Sequence, residues 1–292
     1  MCHKTVTAMI ILELESQKKL SLTDSIKKWL PDQNIIGSEK ITIHHLLSHT
    51  SGLHHFPDGK QFEHLRAAIE SPDELVRLFA NRPLAFSPGS KWGYSNANFV
   101  VLGLIAEQVS GQSYLKLVNA YIAKPAELSK TGHEERYEIV SHLALPYYLT
   151  KDGSYSGLPR VSPMARFAAG SIYSSADDMA KWMQHLITGK DSSGRIFRKM
   201  TKPRVSLPDS VAQQGGVPPN YAYGWFVGEL DVLGCKTYVV EHGGSILGYS
   251  SKLRYFPDHD TIISVTSNTT QNIKKVVNQL SYQFLDSTLC KP

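Results

Sequence analysis

Hydrophobic residues recur at helical spacing through most of the chain up to Gly189. Val6, Met9, Ile10 and Leu14 predict a helix from residue 4 to about residue 19. Further helices, each with a capping or stop signal, are predicted up to Trp29-Leu30, from Thr42 to Leu47, over Glu74–Ala80 after Ser71, over Asn96–Val109, over Tyr114–Ala123 after Ser113, and from Ser174-Ser175 to Gly189.

The pattern then changes to β-branched and aromatic residues broken by turns. Four strands of an antiparallel meander are predicted, at Tyr223–Glu229, Lys236–Glu241, Tyr249–Phe256 and Thr261–Ser267. Gln213–Asn220, with its glycines and prolines, is predicted to be a loop. A last helix, Ile273–Leu285, would cover one face of the sheet with Val276, Val277, Leu280 and Phe284.

These elements indicate the α+β class, in which an antiparallel sheet is flanked by helices and accompanied by an all-α lobe. We expect one domain over residues 1–292, with a helical lobe at about 20–190. The sheet lobe would comprise about 1–19 and 221–292.

The net charge of +5 is spread along the chain, and its basic clusters are only pairs, which argues against nucleic-acid binding. No apolar run is long enough to span a membrane, and residue 1 is not followed by a secretory signal. The chain as written is therefore expected in the cytoplasm, or in the periplasm or outside the cell if a signal has been lost. Cys2, Cys235 and Cys290 indicate neither a disulfide framework nor a zinc knuckle.

Three short segments carry candidate chemistry. The first is Lys4 at the start of a helix, where a residue three positions earlier would share its face. The second is Tyr94-Ser95-Asn96, directly before the apolar helix. The third is His242-Gly243-Gly244-Ser245 at a strand boundary, where glycines would let another backbone lie close to the strand.

Together and in this order, the segments resemble the Ser-x-x-Lys, Tyr-x-Asn and His/Lys-x-Gly motifs of the serine β-lactamase and penicillin-binding-protein superfamily, class C-like branch. The resemblance extends from Lys4 to about Phe284. It implies a serine hydrolase that acts on β-lactams, D-amino-acid peptides or esters without a cofactor. Lys4, Tyr94 and His242 would be catalytic, and Asn96 would orient the lysine and the substrate amide. Gly243 and Gly244 would let the substrate backbone lie against the strand, and the Ser245 amide would be one donor of the oxyanion hole.

The chain departs from this family where the nucleophile is expected. Met1 occupies the position three residues before Lys4, and a thioether cannot attack an acyl group. Cys2 is a poor substitute, because residues two apart on a helix do not face one another. The resemblance also implies two N-terminal strands that are missing here, so residues 261–267 would form an exposed edge strand that favours self-association. A truncated or decayed hydrolase and a genuine silent binding or scaffold relative both fit these departures.

Several histidines raise the alternative of a metal site. His45 and His49 have the four-residue spacing of zinc ligands on a helix, but nearby carboxylates are lacking and the helix is short. The resemblance places this segment in the framework behind the active site. We therefore expect no metal, and a small-molecule or peptide substrate as the partner.

Overall fold

The computed structural model describes residues 3–55, 68–133, 140–158, 162–189, 192–246, 248–269, 271–285 and 290. Its helices are α1 (His3–Ser16), α2 (Ile26–Trp29), α3 (Ile43–Leu47), α4 (Pro72–Arg77), α5 (Asn96–Ser110), α6 (Tyr114–Val118, continued by a π-helical turn Asn119–Ala123), α7 (Ala176–Thr188), α8 (Ser192–Thr201), α9 (Asp209–Gly215) and α10 (Lys274–Phe284). Its strands are β1 (Gly132–His133), β2 (Tyr147–Leu149), β3 (Tyr155–Gly157), β4 (Ile172–Tyr173), β5 (Val205–Ser206), β6 (Asn220–Tyr221), β7 (Phe226–Val232), β8 (Cys235–Ile246), β9 (Tyr249–Phe256) and β10 (Thr261–Ser267).

Local capping explains where the predicted helices begin. At α3, the Thr42 hydroxyl accepts the backbone N–H of His45, and the His45 ring accepts the backbone N–H of Thr42 in return. Such a reciprocal pair satisfies two amides that the first helical turn leaves without partners. The serines before α4, α6 and α7 likewise accept an amide from the first turn, which confirms the predicted caps at Ser71, Ser113 and Ser175.

Helix α1 lies in the middle of the core. Every residue from His3 to Leu14 is buried, so the helix has no solvent face over most of its length. It packs against α5, which is also buried over most of its first three turns, and against α8. A helix that is covered all round holds its side chains in place well, which suits a helix that carries site residues.

The main sheet is antiparallel, with the six strands in the order β10-β9-β8-β7-β6-β5. Alternate residues of each strand face opposite sides. Leu253 and Tyr255 join the large core formed with the helices, whereas Phe256 and Ile263 pack with Val277 of α10 on the other side. The predicted α+β class, with helices on both faces of an antiparallel sheet, is therefore confirmed.

Of two predictions about the sheet region, the one about its edge strand is confirmed and the one about its cysteines is wrong. Strand β10 is the edge strand that the sequence predicts. The prediction that the cysteines form no disulfide is wrong, because Cys235 at the start of β8 is bonded to Cys290, with 4.9 Å between their Cα atoms. Their 55-residue separation hides the pair, because only the docking of α10 on the sheet brings the chain back to β8.

Four other predictions need correction. Short strands occur before residue 190, and β8 extends to Ile246, so His242 lies within a strand and not at its boundary. The expected loop at Gln213–Asn220 begins inside α9. On α10, Val277 is buried but Val276 and Phe284 are 48% and 63% exposed, because the helix presents a narrower face to the sheet than expected. The division into two lobes stays a prediction.

Among the helices of the described ranges, none has both the length and the apolar character needed to cross a membrane.

Candidate active site

Lys4 is buried at the start of α1, with 5% of its surface exposed. Its Nζ lies 4.8 Å from the centre of the Tyr94 ring and 5.7 Å from that of Phe99, so two aromatic faces hold the ammonium. The backbone of the turn at Gly224 also packs closely against the backbone of Lys4. Gly224 has φ +79°, and a Cβ there would lie 2.8 Å from the Lys4 carbonyl oxygen, so only glycine lets this turn touch α1.

Tyr94 is presented by the turn that starts α5, and 37% of its surface is exposed. The next residue, Ser95, caps the helix by accepting the amide of Ala97 at 3.2 Å. The same hydroxyl donates to the carbonyl of His54 at 3.0 Å. The cap therefore ties the Tyr94 backbone both to α5 and to the chain after α3.

His49 lies beneath Tyr94, with ring centres 4.5 Å apart, and is completely buried. Its Nδ1 accepts the Asn98 side-chain amide at 2.8 Å and the Ser95 backbone N–H at 3.3 Å. Burial lowers the pKa of His49 well below 6.5, and the positive charge of Lys4 lowers it further. His49 is therefore a neutral support for the tyrosine.

His242 reaches the same cluster from the sheet, with 2% of its surface exposed. Its Nδ1 lies 2.5 Å from the Gly243 carbonyl oxygen, and its Nε2 lies 3.4 Å from the Tyr221 hydroxyl. Burial lowers the pKa of His242 well below 6.5, and the charge of Lys4 is the next largest cause. The Tyr221 ring contacts the rings of both His49 and His242, with centres 5.0 and 6.3 Å away, and so joins the segments of Lys4, Tyr94 and His242 in one cluster.

The glycines that follow His242 lie where β8 changes partners. The ladder with β7 ends at the pair Phe226–Glu241, whereas the ladder with β9 continues to Ile246. Gly243 and Gly244 are partly exposed, and Ser245 is exposed. This edge of β8 is thus accessible beyond β7, as a strand that receives an extended substrate must be.

Asn96, the first residue of α5, has its Nδ2 3.3 Å from Nε2 of His55. Its expected role in orienting the lysine and a substrate stays a prediction. The position assigned to the nucleophile, Met1, and the neighbouring Cys2 lie outside the described residues.

The sequence reasoning missed two members of the cluster, His49 and Tyr221. Tyr221 is fully buried, and its ring lies 5.0 Å from that of His49, centre to centre. Burial raises the pKa of Tyr221 well above 10, and the neighbouring Tyr94 adds to this effect. The sequence signal for His49 is the segment His49-Thr50-Ser51-Gly52, which by its resemblance to the family indicates framework and not a site residue.

No group of three or more His, Cys, Asp or Glu side chains that could hold a metal ion occurs in the part of the chain that the structure describes. The two histidines with zinc-like spacing have different roles: His45 closes the capping box of α3, and His49 supports Tyr94.

Comparison with known proteins identifies the family of the chain. A family model described as Beta-lactamase matches residues 2–285. This chain belongs to the Beta-lactamase family. The family model therefore includes all three segments that the sequence singled out.

Similar proteins of this family include both penicillin-binding proteins and esterases. "Putative penicillin-binding protein PbpX" of Bacillus subtilis (strain 168) is 31% identical over 286 residues, which are 97% of this chain and 65% of that protein. Esterase EstB of Burkholderia gladioli is 32% identical over 213 residues, which are 62% of this chain and 54% of the esterase. The chain thus spans less than two thirds of the length of these relatives.

Solved structures of the family share the fold. A D-stereospecific amidohydrolase from Streptomyces sp. superposes with a TM-score of 0.81 at 26% identity, covering 96% of this chain and 84% of that chain. An octameric penicillin-binding protein homologue from Pyrococcus abyssi superposes with a TM-score of 0.79 at 26% identity, covering 96% of this chain and 64% of that chain.

Proposed function

We propose that the cluster around Lys4 is an acyl-transfer site of the serine-hydrolase type. A serine three residues before Lys4 would attack a carbonyl, Lys4 and Tyr94 would relay its proton, and the Ser245 amide would stabilise the oxyanion. Water would then release the acyl group. The observation that carries the proposal is the 4.8 Å between Lys4 Nζ and the Tyr94 ring, next to a strand with an accessible glycine segment.

Three substrate classes are proposed: β-lactams, D-amino-acid peptides and small esters. The relatives support this range, since one is named as a penicillin-binding protein, one as a D-stereospecific amidohydrolase and one as an esterase. Each of these substrates presents a carbonyl that a serine can attack, so one site geometry serves all three.

The identity of residue 1 favours a second function, that of a silent relative that binds without cutting. Methionine stands where the mechanism needs the serine, and its thioether has no proton to lose and forms no acyl ester. We propose that this chain, with Met1, binds the substrate class of the family and does not turn it over.

Placing serine at position 1 tests both parts of the proposal. The chain is made with a short leader, so that residue 1 is internal, and carries either Met1 or Met1→Ser. Each protein is incubated with a fluorescent penicillin and with a nitrophenyl ester. We expect mass spectrometry to find an acyl adduct on the introduced serine and none on Met1.

Lys4→Ala in the serine form should slow acylation by about 100-fold or more, whereas Lys19→Ala, at an exposed lysine just beyond α1, should not.

A serine form that folds but takes up no acyl group from either probe would rule out the acyl-transfer site. Turnover by the Met1 form that Lys4→Ala abolishes would rule out the silent function and keep the hydrolase.

Self-association through β10 is a further proposal. This strand pairs with β9 on one side and ends the sheet on the other, and unpaired strand edges readily pair with another chain. The octameric relative supports such assembly. Light scattering should give a mass above that of one chain. Thr266→Lys on the edge should reduce the mass, whereas Thr188→Lys at the exposed end of α7 should not. A single-chain mass at all concentrations would contradict the proposal.

A further inference from the structure

The hydrogen bonds of His242 define its protonation state. A carbonyl oxygen only accepts, so the 2.5 Å contact between Nδ1 and the Gly243 oxygen requires the proton on Nδ1. In a neutral imidazole the other nitrogen then accepts. The Tyr221 hydroxyl, 3.4 Å from Nε2, is placed to donate to it. The chain of bonds therefore runs from Tyr221 through His242 to the Gly243 carbonyl.

Burial and aromatic contacts fix the position of the Tyr221 side chain beside His242. It lies on the short strand β6, its side chain is fully buried, and its ring packs edge-on against that of Phe226 with centres 4.9 Å apart. On its other side lie His49 and Trp92, with ring centres at 5.0 and 6.0 Å. A phenol confined in this way has little freedom to turn away from His242.

The Gly243 carbonyl belongs to the same peptide plane as the Gly244 amide. Any group that fixes this carbonyl also fixes the orientation of that amide and the course of the strand into Ser245. The Ser245 amide, which the proposed function assigns as the oxyanion donor, belongs to the next peptide along the strand, so a turn of the Gly243–Gly244 peptide also turns this donor. A misdirected donor of this kind costs large factors in rate.

We propose that Tyr221 is a positioning residue of this site, which keeps His242 in the Nδ1–H tautomer and thereby orients the Gly243–Gly244 peptide. The catalytic part of this inference rests on the proposed function. The tautomer part does not, because it concerns only the folded protein.

The tautomer is read directly by long-range 1H–15N correlation of the histidine rings in 15N-labelled protein, with His242 assigned from the signal that His242→Gln removes. The protein should show His242 protonated at Nδ1 and unprotonated at Nε2. In Tyr221→Phe, which keeps the ring and removes only the hydroxyl, protonation at Nε2 should increase at least several-fold.

Tyr223→Phe is the matched control. It lies two residues further on and also places its hydroxyl on a histidine nitrogen, 2.7 Å from Nδ1 of His44, away from His242. This variant should change the His44 signals and leave those of His242 as they are. In the Met1→Ser form, Tyr221→Phe should lower the acylation rate constant about tenfold at unchanged KM, and Tyr223→Phe should not.

Two outcomes would overturn the inference without reference to turnover: His242 protonated at Nε2 in the unsubstituted protein, or a fraction of Nε2 protonation in Tyr221→Phe that equals the fraction in the unsubstituted protein. If the tautomer changes as expected but no serine form reacts with any acyl donor, the proposed function fails and the positioning of His242 by Tyr221 stands.

Discussion

Glu241→Gln should lower the free energy of unfolding by about 3–5 kcal/mol, because it breaks a fully buried ion pair and leaves charges uncompensated. The Glu241 carboxylate accepts Nζ of Lys252 and Nε of Arg254, each at 2.6 Å. Burial alone would raise the pKa of Glu241, but these two charges outweigh it and hold the pKa below its ordinary value. Arg254 is itself 1% exposed, so it would become a buried cation without its main counter-charge.

The effect should extend beyond the sheet. Arg254 also donates to Asn278 at 3.0 Å and to Ser281 at 3.3 Å, both on α10. Loss of its carboxylate partner therefore loosens the helix from the sheet as well as the pairing of β8 with β9.

Urea unfolding measures this change, and Glu229→Gln on β7 is the matched control. Glu229 is exposed, so the same substitution there should change the free energy of unfolding by no more than about 0.5 kcal/mol. A loss of less than about 1 kcal/mol in Glu241→Gln would show that Lys252 and Arg254 find other partners or water when the carboxylate is gone.

Glu241 is the neighbour of His242 in β8. The pairing of β8 with β9 therefore stabilises the fold and also positions the candidate site. Successive residues of a strand face opposite sides. Glu241 anchors β8 towards α10, while His242 turns towards Lys4 and Tyr221. The spectra and the unfolding experiments thus report on the two faces of a single strand.

Local signals allowed much of the fold to be predicted. The strands Tyr249–Phe256 and Thr261–Ser267 were predicted with their observed bounds, because regular β-branched patterns end at clear turns. Helix α8 was missed: its segment contains Gly194 and only a few apolar residues, and it is held by packing against α1 and α7. The segment nevertheless contains a local signal, because the buried residues Ile196, Phe197 and Met200 are spaced as on one face of a helix.

The candidate site likewise contains residues that local sequence signals predict and one that they do not predict. Lys4, Tyr94 and His242 were predicted from motifs, because Lys4 lies at the start of a predicted helix, Tyr94 shortly precedes an apolar helix and His242 precedes two glycines. Tyr221 could not be found in this way, since its place beside His242 depends on β6 pairing with β7, which in turn pairs with β8. Its place in the cluster is a property of the assembled sheet and not of its neighbours in sequence.

Acid should destabilise the protein chiefly through its buried histidines, and His133 allows the effect to be isolated. Its Nε2 lies 2.6 Å from the Ser171 hydroxyl, which itself donates to the Phe167 carbonyl, so Nε2 of the imidazole is the donor. Burial lowers the pKa of His133 from 6.5 to about 4. Burial likewise lowers the pKa of His3, His49 and His242 well below 6.5.

The sign of the effect follows from which state binds the proton. Above pH 6.5 neither the folded nor the unfolded chain protonates His133. Between pH 6.5 and about 4 the unfolded chain binds a proton that the folded chain refuses, so the free energy of unfolding falls as the pH falls. Below about 4 both states are protonated and the loss from this residue, about 3 kcal/mol, is complete.

Urea unfolding at a series of pH values tests the contribution of His133. Two histidine-to-asparagine variants are compared, one at a buried and one at an exposed position. His133→Asn removes a buried titrating group, and the fall in stability between pH 6.5 and 4 should become about 3 kcal/mol smaller. His142→Asn removes an exposed histidine and should leave the fall unchanged. The measured quantity is the difference between the free energies of unfolding at the two pH values. Packing or hydrogen bonding that His133→Asn loses lowers both values and cancels in this difference. Equal falls in the unsubstituted protein and in His133→Asn would mean that water reaches this imidazole when it is charged, and that the acid sensitivity belongs to the histidines around Lys4.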